Sequence, residues 1–225
     1  MRSVVTGADG FAGRWLCRQL VEAGDQVFGW VRRRPEAPIP GVEYRIQDVR
    51  DFDGCGRNMA ADAPEQVFHL AAMTHLGDCD RRPDEAAETN VDGAIHVLST
   101  MPTGARAVFA STCHVYGPPA TERITESQPP RPAGTYAQSK HSAELAIQDL
   151  GRDVVIARAF HHTGPGQSAR FVLSDWARQM ANGHSEIKVG NLGVARDFTD
   201  VRDIVRGYRH LIDKGLPGQV YNLCS

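Results

Sequence analysis

Ser3-Val4-Val5-Thr6-Gly7-Ala8-Asp9-Gly10-Phe11-Ala12-Gly13 is the stretch that decides the fold. Its first four residues form a short apolar run with β-branched side chains, which reads as a buried strand. From Phe11 to Ala23, apolar residues recur at helical spacing, at Phe11, Trp15, Leu16 and Leu20. Strand, glycine turn and helix in succession give the glycine spacing its meaning. Gly7 permits the tight turn, and Gly10 lets the backbone approach a pyrophosphate. Gly13 lets helix and strand pack closely, while the helix that opens at Phe11 turns its positive end toward the anion.

Outward from this stretch the pattern repeats. Gln26–Val31 reads as a second strand, Glu43–Gln47 as a third, Gln66–Leu70 as a fourth and Ala107–Ala110 as a fifth. Val154–Ala157 and Val220–Leu223 complete the set, and helices are expected over Pro83–Leu98, from near Thr135 to about Leu150, near Ala169–Asn182, and over Asp200–Asp213. Strands alternating with helices predict an α/β fold, a doubly wound parallel (Rossmann) sheet. The division expected is a dinucleotide-binding domain over 1–160 and a small substrate-binding segment over 161–225, interleaved with the last Rossmann elements.

The strand ends carry the chemistry. After the second strand, a carboxylate would suit the ribose 2′-hydroxyl of NAD. Arg32, Arg33 and Arg34 stand there instead. Guanidinium groups suit a 2′-phosphate, so NADP(H) is the expected cofactor, with NAD(H) possible; a solvated basic turn is the plainer reading. Small residues Ala71 and Ala72 after the fourth strand let a cofactor lie close to the backbone. Pro118, Pro119, Pro129, Pro130 and Pro132 mark a loop that could flank a cleft.

Composition narrows the class. A chain of 225 residues suits one α/β domain with at most a small appendage. The formal net charge of −2 gives no bulk attraction to nucleic acid or membrane, and no apolar run reaches membrane-spanning length. A strand and a glycine turn occupy the first residues, so no signal peptide is expected. The five cysteines, Cys17, Cys55, Cys79, Cys113 and Cys224, include no C-x-x-C pair, which argues against zinc and for reduced thiols in a cytoplasmic protein. Two adjacent histidines, His161 and His162, point opposite ways on an extended segment and do not chelate easily. No metal is expected.

Tyr136-Ala137-Gln138-Ser139-Lys140 places a phenol and an amine on one helical face. The chain holds three lysines and five tyrosines, so chance supplies roughly 0.07 such pairs. An ammonium near a phenol favours the phenolate and lowers its pKa, which suits proton exchange with a sugar or alcohol oxygen. A surface pair without chemistry is the alternative.

Thr6-Gly7-x-x-Gly10-x-x-Gly13, Asp48-Val49, His69-Leu70-Ala71-Ala72, Ser111-Thr112 with Val115-Tyr116-Gly117, and Tyr136-x-x-x-Lys140 together resemble the extended short-chain dehydrogenase/reductase family, in its NAD(P)-dependent sugar-nucleotide epimerase/dehydratase branch. Arg158–Gln167, Lys188-Val189-Gly190-Asn191-Leu192 and Arg196–Asp203 resemble the segments of GDP-4-keto-6-deoxy-mannose reductases. The family usually has asparagine where this chain has His161. The resemblance implies a catalytic set of Thr112, Tyr136 and Lys140. Thr112 would bond the C4 oxygen, Tyr136 would exchange the proton, and Lys140 would hold the nicotinamide ribose.

It also implies Asp48 at the adenine, with Val49, Leu70, Ala71 and Ala72 completing the cofactor set begun by Gly7, Gly10, Phe11, Gly13, Arg32 and Arg33. Thr112, His161, Arg170, Lys188 and Arg196 are the expected substrate-binding residues, with Arg196 forked onto the diphosphate. An ion pair of Arg196 with Asp197 or Asp200, and a helix N-cap role for Asp48, remain as alternatives. His114 reads as a loop histidine.

Dehydratases of the family use carboxylates just after the catalytic threonine; here Cys113 and His114 stand there, which disfavours elimination. The expected activity is NADPH-dependent reduction of the C4 ketone of a nucleoside-diphosphate 4-keto-6-deoxy-hexose, a GDP-sugar first. A 4-epimerase and a non-catalytic NADP(H) sensor are the alternatives. Members of the family continue beyond the segment like Tyr221-Asn222-Leu223, so a shortened substrate-binding part is expected. The resemblance further implies a homodimer through the Tyr136 helix and the Pro83–Leu98 helix.

Overall fold

The computed structural model describes residues 1–118, 123–191 and 193–225. Pro119 of the proline loop and Leu192 of the Lys188–Leu192 segment lie outside the described residues.

Seven parallel strands form the main sheet: β1 (Arg2–Thr6), β2 (Gln26–Val31), β3 (Val42–Ile46), β4 (Gln66–His69), β5 (Arg106–Thr112), β6 (Val154–Ala159) and β9 (Val220–Leu223). Their order is β3-β2-β1-β4-β5-β6-β9. The register runs Val4 to Phe28 and Val67, then Phe68 to Val108, and Val108 to Val155. β7 (His161–Thr163) and β8 (Phe198–Asp200) make a separate parallel pair. β4 and β6 are buried at every residue, as expected where helices cover both faces of a parallel sheet. The edge strand β3 is only partly covered.

The alternation along each strand sorts the core into two layers. On one face Val5, Val27, Phe68, Val108 and Val155 pack with α1 (Phe11–Glu22) and α8 (Val201–Lys214). Leu16 and Leu20 of α1 and Ile204, Tyr208 and Leu211 of α8 lie at helical spacing and are buried there. On the other face Val4, Phe28, Val67, Phe109 and Ile156 pack with three further helices. These are α2 (Phe52–Asp62), α5 (Gly93–Ser99) and α6 (Thr135–Asp149). The remaining helices are α3 (Leu76–Arg81), α4 (Pro83–Ala87) and α7 (Val172–Ala181).

Asp51 starts α2 by accepting the Gly54 N–H at 3.0 Å, and Ala63 in the left-handed region ends it. α2 had no counterpart in the sequence reading, because Gly54 and Gly56 interrupt its apolar pattern. The expected helix over Pro83–Leu98 is present as α4 and α5 joined by one wide turn, Glu88–Asp92, of π type. Such wide turns often mark functional places.

The chain leaves β1 toward β2 and β3 on one side and later builds β4, β5 and β6 on the other. The strand order therefore reverses between β1 and β4. A crevice forms beyond the carboxyl ends of strands at such a reversal, and ligands bind there in open α/β sheets. In residues 161–225, β7, α7 and β8 stand off the main sheet, while α8 covers it and β9 joins its edge.

Candidate active site

Every strand of the crevice delivers expected residues at its carboxyl end. Gly7 follows β1 with φ of +66°, a conformation glycine accepts without strain. A Cβ at Gly7 would stand 3.0 Å from the Ala71 nitrogen, and one at Gly13 would stand 2.1 Å from the Gly7 carbonyl oxygen. The turn is thus closed around bare backbone. α1 begins after Gly10 with no side-chain cap and no acidic residue in its first turn. Its first N–H groups face the crevice with positive partial charge, which fits a pyrophosphate. Phe11 opens the helix, and its ring lies parallel to His162 at 6.0 Å.

Arg32, Arg33 and Arg34 are exposed after β2. Asp48 follows β3 and is gripped by Arg50, whose Nη2 lies 2.6 Å away. That hydrogen bond holds the Asp48 carboxyl below its usual range, and Arg32 adds to the effect through space. Arg32 and Asp48 are therefore neighbours at the expected adenosine end. Asp51, not Asp48, caps the next helix. The buried Val49 packs on Gly93.

Thr6 organises the floor. Its hydroxyl oxygen accepts the N–H groups of Leu70 at 3.2 Å and Ala71 at 3.1 Å, and it lies 3.1 Å from Nδ1 of His69. Two amides already donate to that oxygen, so its own proton goes to Nδ1. His69 is then the neutral tautomer protonated at Nε2. Full burial, with Lys140 nearby, pushes His69 down to about 3. Its Nε2 has no hydrogen-bond partner among the described residues.

α6 carries Tyr136 and Lys140 against β5. The Lys140 ammonium lies 4.0 Å from the centre of the Phe109 ring and is 2 % exposed. Burial pulls its pKa down to about 7, partly offset by Glu144. Tyr136 is half-buried beside Thr112. The expectation that Lys140 would lower the phenol is overturned: desolvation pushes Tyr136 up to about 12, against the pull of the Thr112 hydroxyl. Tyr136 and Lys140 share a helical face, but the amine runs inward to Phe109, Glu144 and His69. A phenol so placed is a proton donor at neutral pH.

Thr112 ends β5 and accepts the His114 N–H at 3.2 Å, starting a short 3₁₀ turn over Cys113–Tyr116. That turn places the His114 ring edge-on to Tyr136, 5.9 Å between centres. His114 thus packs against Tyr136. Its ring also meets His161 of β7 at 5.3 Å. Burial lowers both histidines, His161 to about 4, and the Arg196 guanidinium adds to the effect on each. His162 faces away, with Nδ1 donating to the Phe160 carbonyl at 2.9 Å. No group of three or more side chains able to hold a metal ion occurs among the described residues.

The remaining expected substrate residues are spread over the arm. Arg170 is exposed and ion-paired with Asp78 at 2.9 Å. Lys188 is exposed, its backbone tied to the Gln179 amide. Arg196 is exposed, donating to its neighbour's carbonyl at 2.8 Å, and it makes no ion pair with Asp197 or Asp200 among the described residues. Asp200 instead holds Arg202.

Two supports were not foreseen. Asn90, in the π turn, is fully buried; it accepts from Met73 N–H at 2.7 Å and donates to the Met73 carbonyl at 3.0 Å and to Ser139 at 2.9 Å. Ser139 donates in turn to the Tyr136 carbonyl at 2.9 Å, so Asn90 pins the loop after β4 to the helix that carries Tyr136. One turn beyond Lys140, Glu144 receives both arms of Arg158 at 2.9 and 2.6 Å and the Ser111 hydroxyl. The spacing of Lys140 to Glu144 is that of i and i+4, a signal present in the sequence.

A glycine cradle at a strand reversal, with a threonine, a tyrosine and a buried lysine beside it, defines a nicotinamide-dinucleotide enzyme of the short-chain dehydrogenase/reductase type. The model of the NAD dependent epimerase/dehydratase family matches residues 3–224, and the chain belongs to that family. It is 34 % identical to GDP-6-deoxy-D-mannose reductase of Pseudomonas aeruginosa, an alignment covering 100 % of this chain and 74 % of that one. A structure of RMD from Pseudomonas aeruginosa complexed with NADPH superposes with a TM-score of 0.85 at 30 % identity, covering 100 % of this chain and 78 % of that one. UDP-glucose 4-epimerase of Thermotoga maritima, solved with UDP-glucose, gives 0.92 at 26 % identity, covering 100 % and 77 %.

Proposed function

We propose that the chain reduces the C4 ketone of a nucleoside-diphosphate 4-keto-6-deoxy-hexose with NADPH, a GDP-sugar being the first candidate. The observation that carries this reading is the set of groups around the Tyr136 phenol. Thr112 and His114 stand beside it, and the two positions after Thr112 are Cys113 and His114 rather than carboxylates. Elimination of water needs an acid and a base there; reduction needs only a proton donor. A phenol near 12 remains protonated and can donate.

The dinucleotide, when bound at Gly7, Gly10, Phe11 and Gly13, with Val49, Leu70, Ala71 and Ala72 along the floor, supplies the hydride. Arg32 and Arg33 meet a 2′-phosphate, and Asp48 the adenine. The similarity to GDP-6-deoxy-D-mannose reductase and to an NADPH-bound structure supports both choices. Thr112 orients the carbonyl oxygen by a hydrogen bond, Tyr136 gives its proton to that oxygen, and Lys140 would turn from the Phe109 ring to the nicotinamide ribose when the dinucleotide binds. Arg196 takes the diphosphate, with His161, Arg170 and Lys188 along the same arm. Thr112 is buried at the end of β5 and Tyr136 half-buried on α6, so the two groups at the carbonyl are held by packing before substrate arrives, which is the condition for electrostatic catalysis.

Residues 1–160 act as the dinucleotide-binding part and 161–225 as the substrate-binding segment. A homodimer through α6 and the α4–α5 helix, in the cytoplasm, completes the proposal. NADPH consumption with a panel of 4-keto-6-deoxy sugar nucleotides tests it: turnover is expected, with GDP sugars preferred. Interconversion of 4-hydroxy sugar nucleotides without net cofactor use would replace reduction by epimerisation. NADP(H) binding without turnover of any sugar would make the chain a sensor.

A further inference from the structure

We propose that His114 and His161 form a paired-imidazole subsite that hydrogen-bonds the hexose beside its reacting carbon, which makes His114 a specificity-determining residue; this deepens the reductase reading and rests on it. The first observation is a chain of rings. Tyr136 meets His114 at 5.9 Å, His114 meets His161 at 5.3 Å, and His161 meets Phe198 of β8 at 5.7 Å. This chain runs from the reactive phenol to the β7–β8 arm without a gap.

The second observation is that neither imidazole makes a side-chain hydrogen bond to the described residues. His162, by contrast, is committed to the Phe160 carbonyl, and His69 to Thr6. His114 and His161 are half-buried, and Phe198 is 38 % exposed, so the rings are open enough to meet a ligand. The bond from the His114 backbone N–H to Thr112 fixes the His114 backbone relative to the hydroxyl that would orient the substrate carbonyl.

The third observation is charge. The titratable and charged groups facing the pair are Arg196, Asp197, His162 and Tyr136. Desolvation and the guanidinium keep both rings neutral at physiological pH. A neutral imidazole offers one donor and one acceptor. Two of them side by side match a pyranose, whose hydroxyl groups need both, and they do not repel each other. A carboxylate in the place of His114 would offer acceptors only.

Calorimetric titration of the NADP-loaded protein separates this subsite from turnover. GDP-, UDP- and dTDP-hexoses are each compared with the corresponding nucleoside diphosphate. The native protein is expected to bind at least one nucleotide sugar more tightly than its diphosphate. His114→Ala and His161→Ala should each weaken that sugar roughly tenfold, while leaving the diphosphate within twofold. The double variant should lose less than the two single losses combined, because the rings act together. His114→Asn, which retains a donor and an acceptor, should recover part of the loss. Equal weakening of sugar and diphosphate, no weakening of either, or a native protein that gains nothing from the hexose would each overturn the subsite. Failure of the reductase reading shows separately, as absence of NADPH oxidation by the native protein.

Discussion

Glu144→Ala is expected to cost this fold about 3–5 kcal/mol, because it strands a buried charge. Arg158 has a side chain only 5 % exposed, and Glu144 is its sole ion-pair partner among the described residues. Both guanidinium arms reach the carboxylate, at 2.9 and 2.6 Å, and the cation lies over Tyr116 at 4.7 Å. Removing the carboxylate leaves the guanidinium with Tyr116, which carries no compensating charge, and frees the Ser111 hydroxyl. For a domain of this size each kcal/mol shifts Tm by about 2–4 °C, so a fall of roughly 6–20 °C is expected in a thermal scan. Glu144→Leu combined with Arg158→Met removes both charges and should recover most of that loss, since an apolar pair of similar volume often replaces a buried ion pair at little cost. Urea titration gives the same comparison at constant temperature. A single variant within about 1 kcal/mol of the native protein, or a double variant worse than the single, would refute the electrostatic reasoning.

Three further outcomes follow from the same geometry. Gly13→Ala places a Cβ 2.1 Å from the Gly7 carbonyl oxygen, more than 1 Å inside ordinary contact. The turn must open, lowering stability by about 1–3 kcal/mol and weakening NADPH in a fluorescence titration; native affinity at native Tm would contradict the packing argument. His69 is neutral in the fold, at about 3 against an ordinary 6.5, so the unfolded chain binds the extra proton between those values. The stability His69 contributes is present above pH 6.5 and lost as pH falls toward 3, at up to about 1.4 kcal/mol per unit, and His69→Gln should flatten the curve by that slope. Lys140, at about 7 against 10.5, has the same sign over a higher window: stability present above 10.5 is lost as pH falls through 7, and Lys140→Met should abolish that dependence while also making the acid limb shallower, because Lys140 helps to hold His69 down.

The sheet could be read from the chain because central parallel strands are continuous apolar runs, as in β1, β2 and β6. The glycine turn was legible for a similar reason, since only a bare backbone closes against Ala71 and Gly7. Residues at strand ends, Arg32, Asp48, Ala71 and Thr112, reach one crevice because the sheet topology carries them there. What escaped was long-range or conformational. Sequence spacing put Tyr136 and Lys140 on one helical face but could not show the amine turning onto Phe109, so the direction of the phenol's shift was reversed. His114 lay in a segment without periodicity, and its approach to His161 spans 47 positions of sequence. Asn90 looked like an ordinary helical polar residue until a π turn aimed it at Met73 and Ser139.

Reduction as proposed depends on a phenol that stays protonated and gives its proton to the new alkoxide. NADPH oxidation by native protein and Tyr136→Phe, from pH 6 to 9 with the preferred 4-keto sugar nucleotide, measures that directly. The variant should bind NADPH with unchanged Kd and lose about 10²–10⁴ in kcat, while the native rate shows no fall from phenol ionisation across the range. Turnover by Tyr136→Phe within tenfold of the native protein, at the same NADPH affinity, would contradict it.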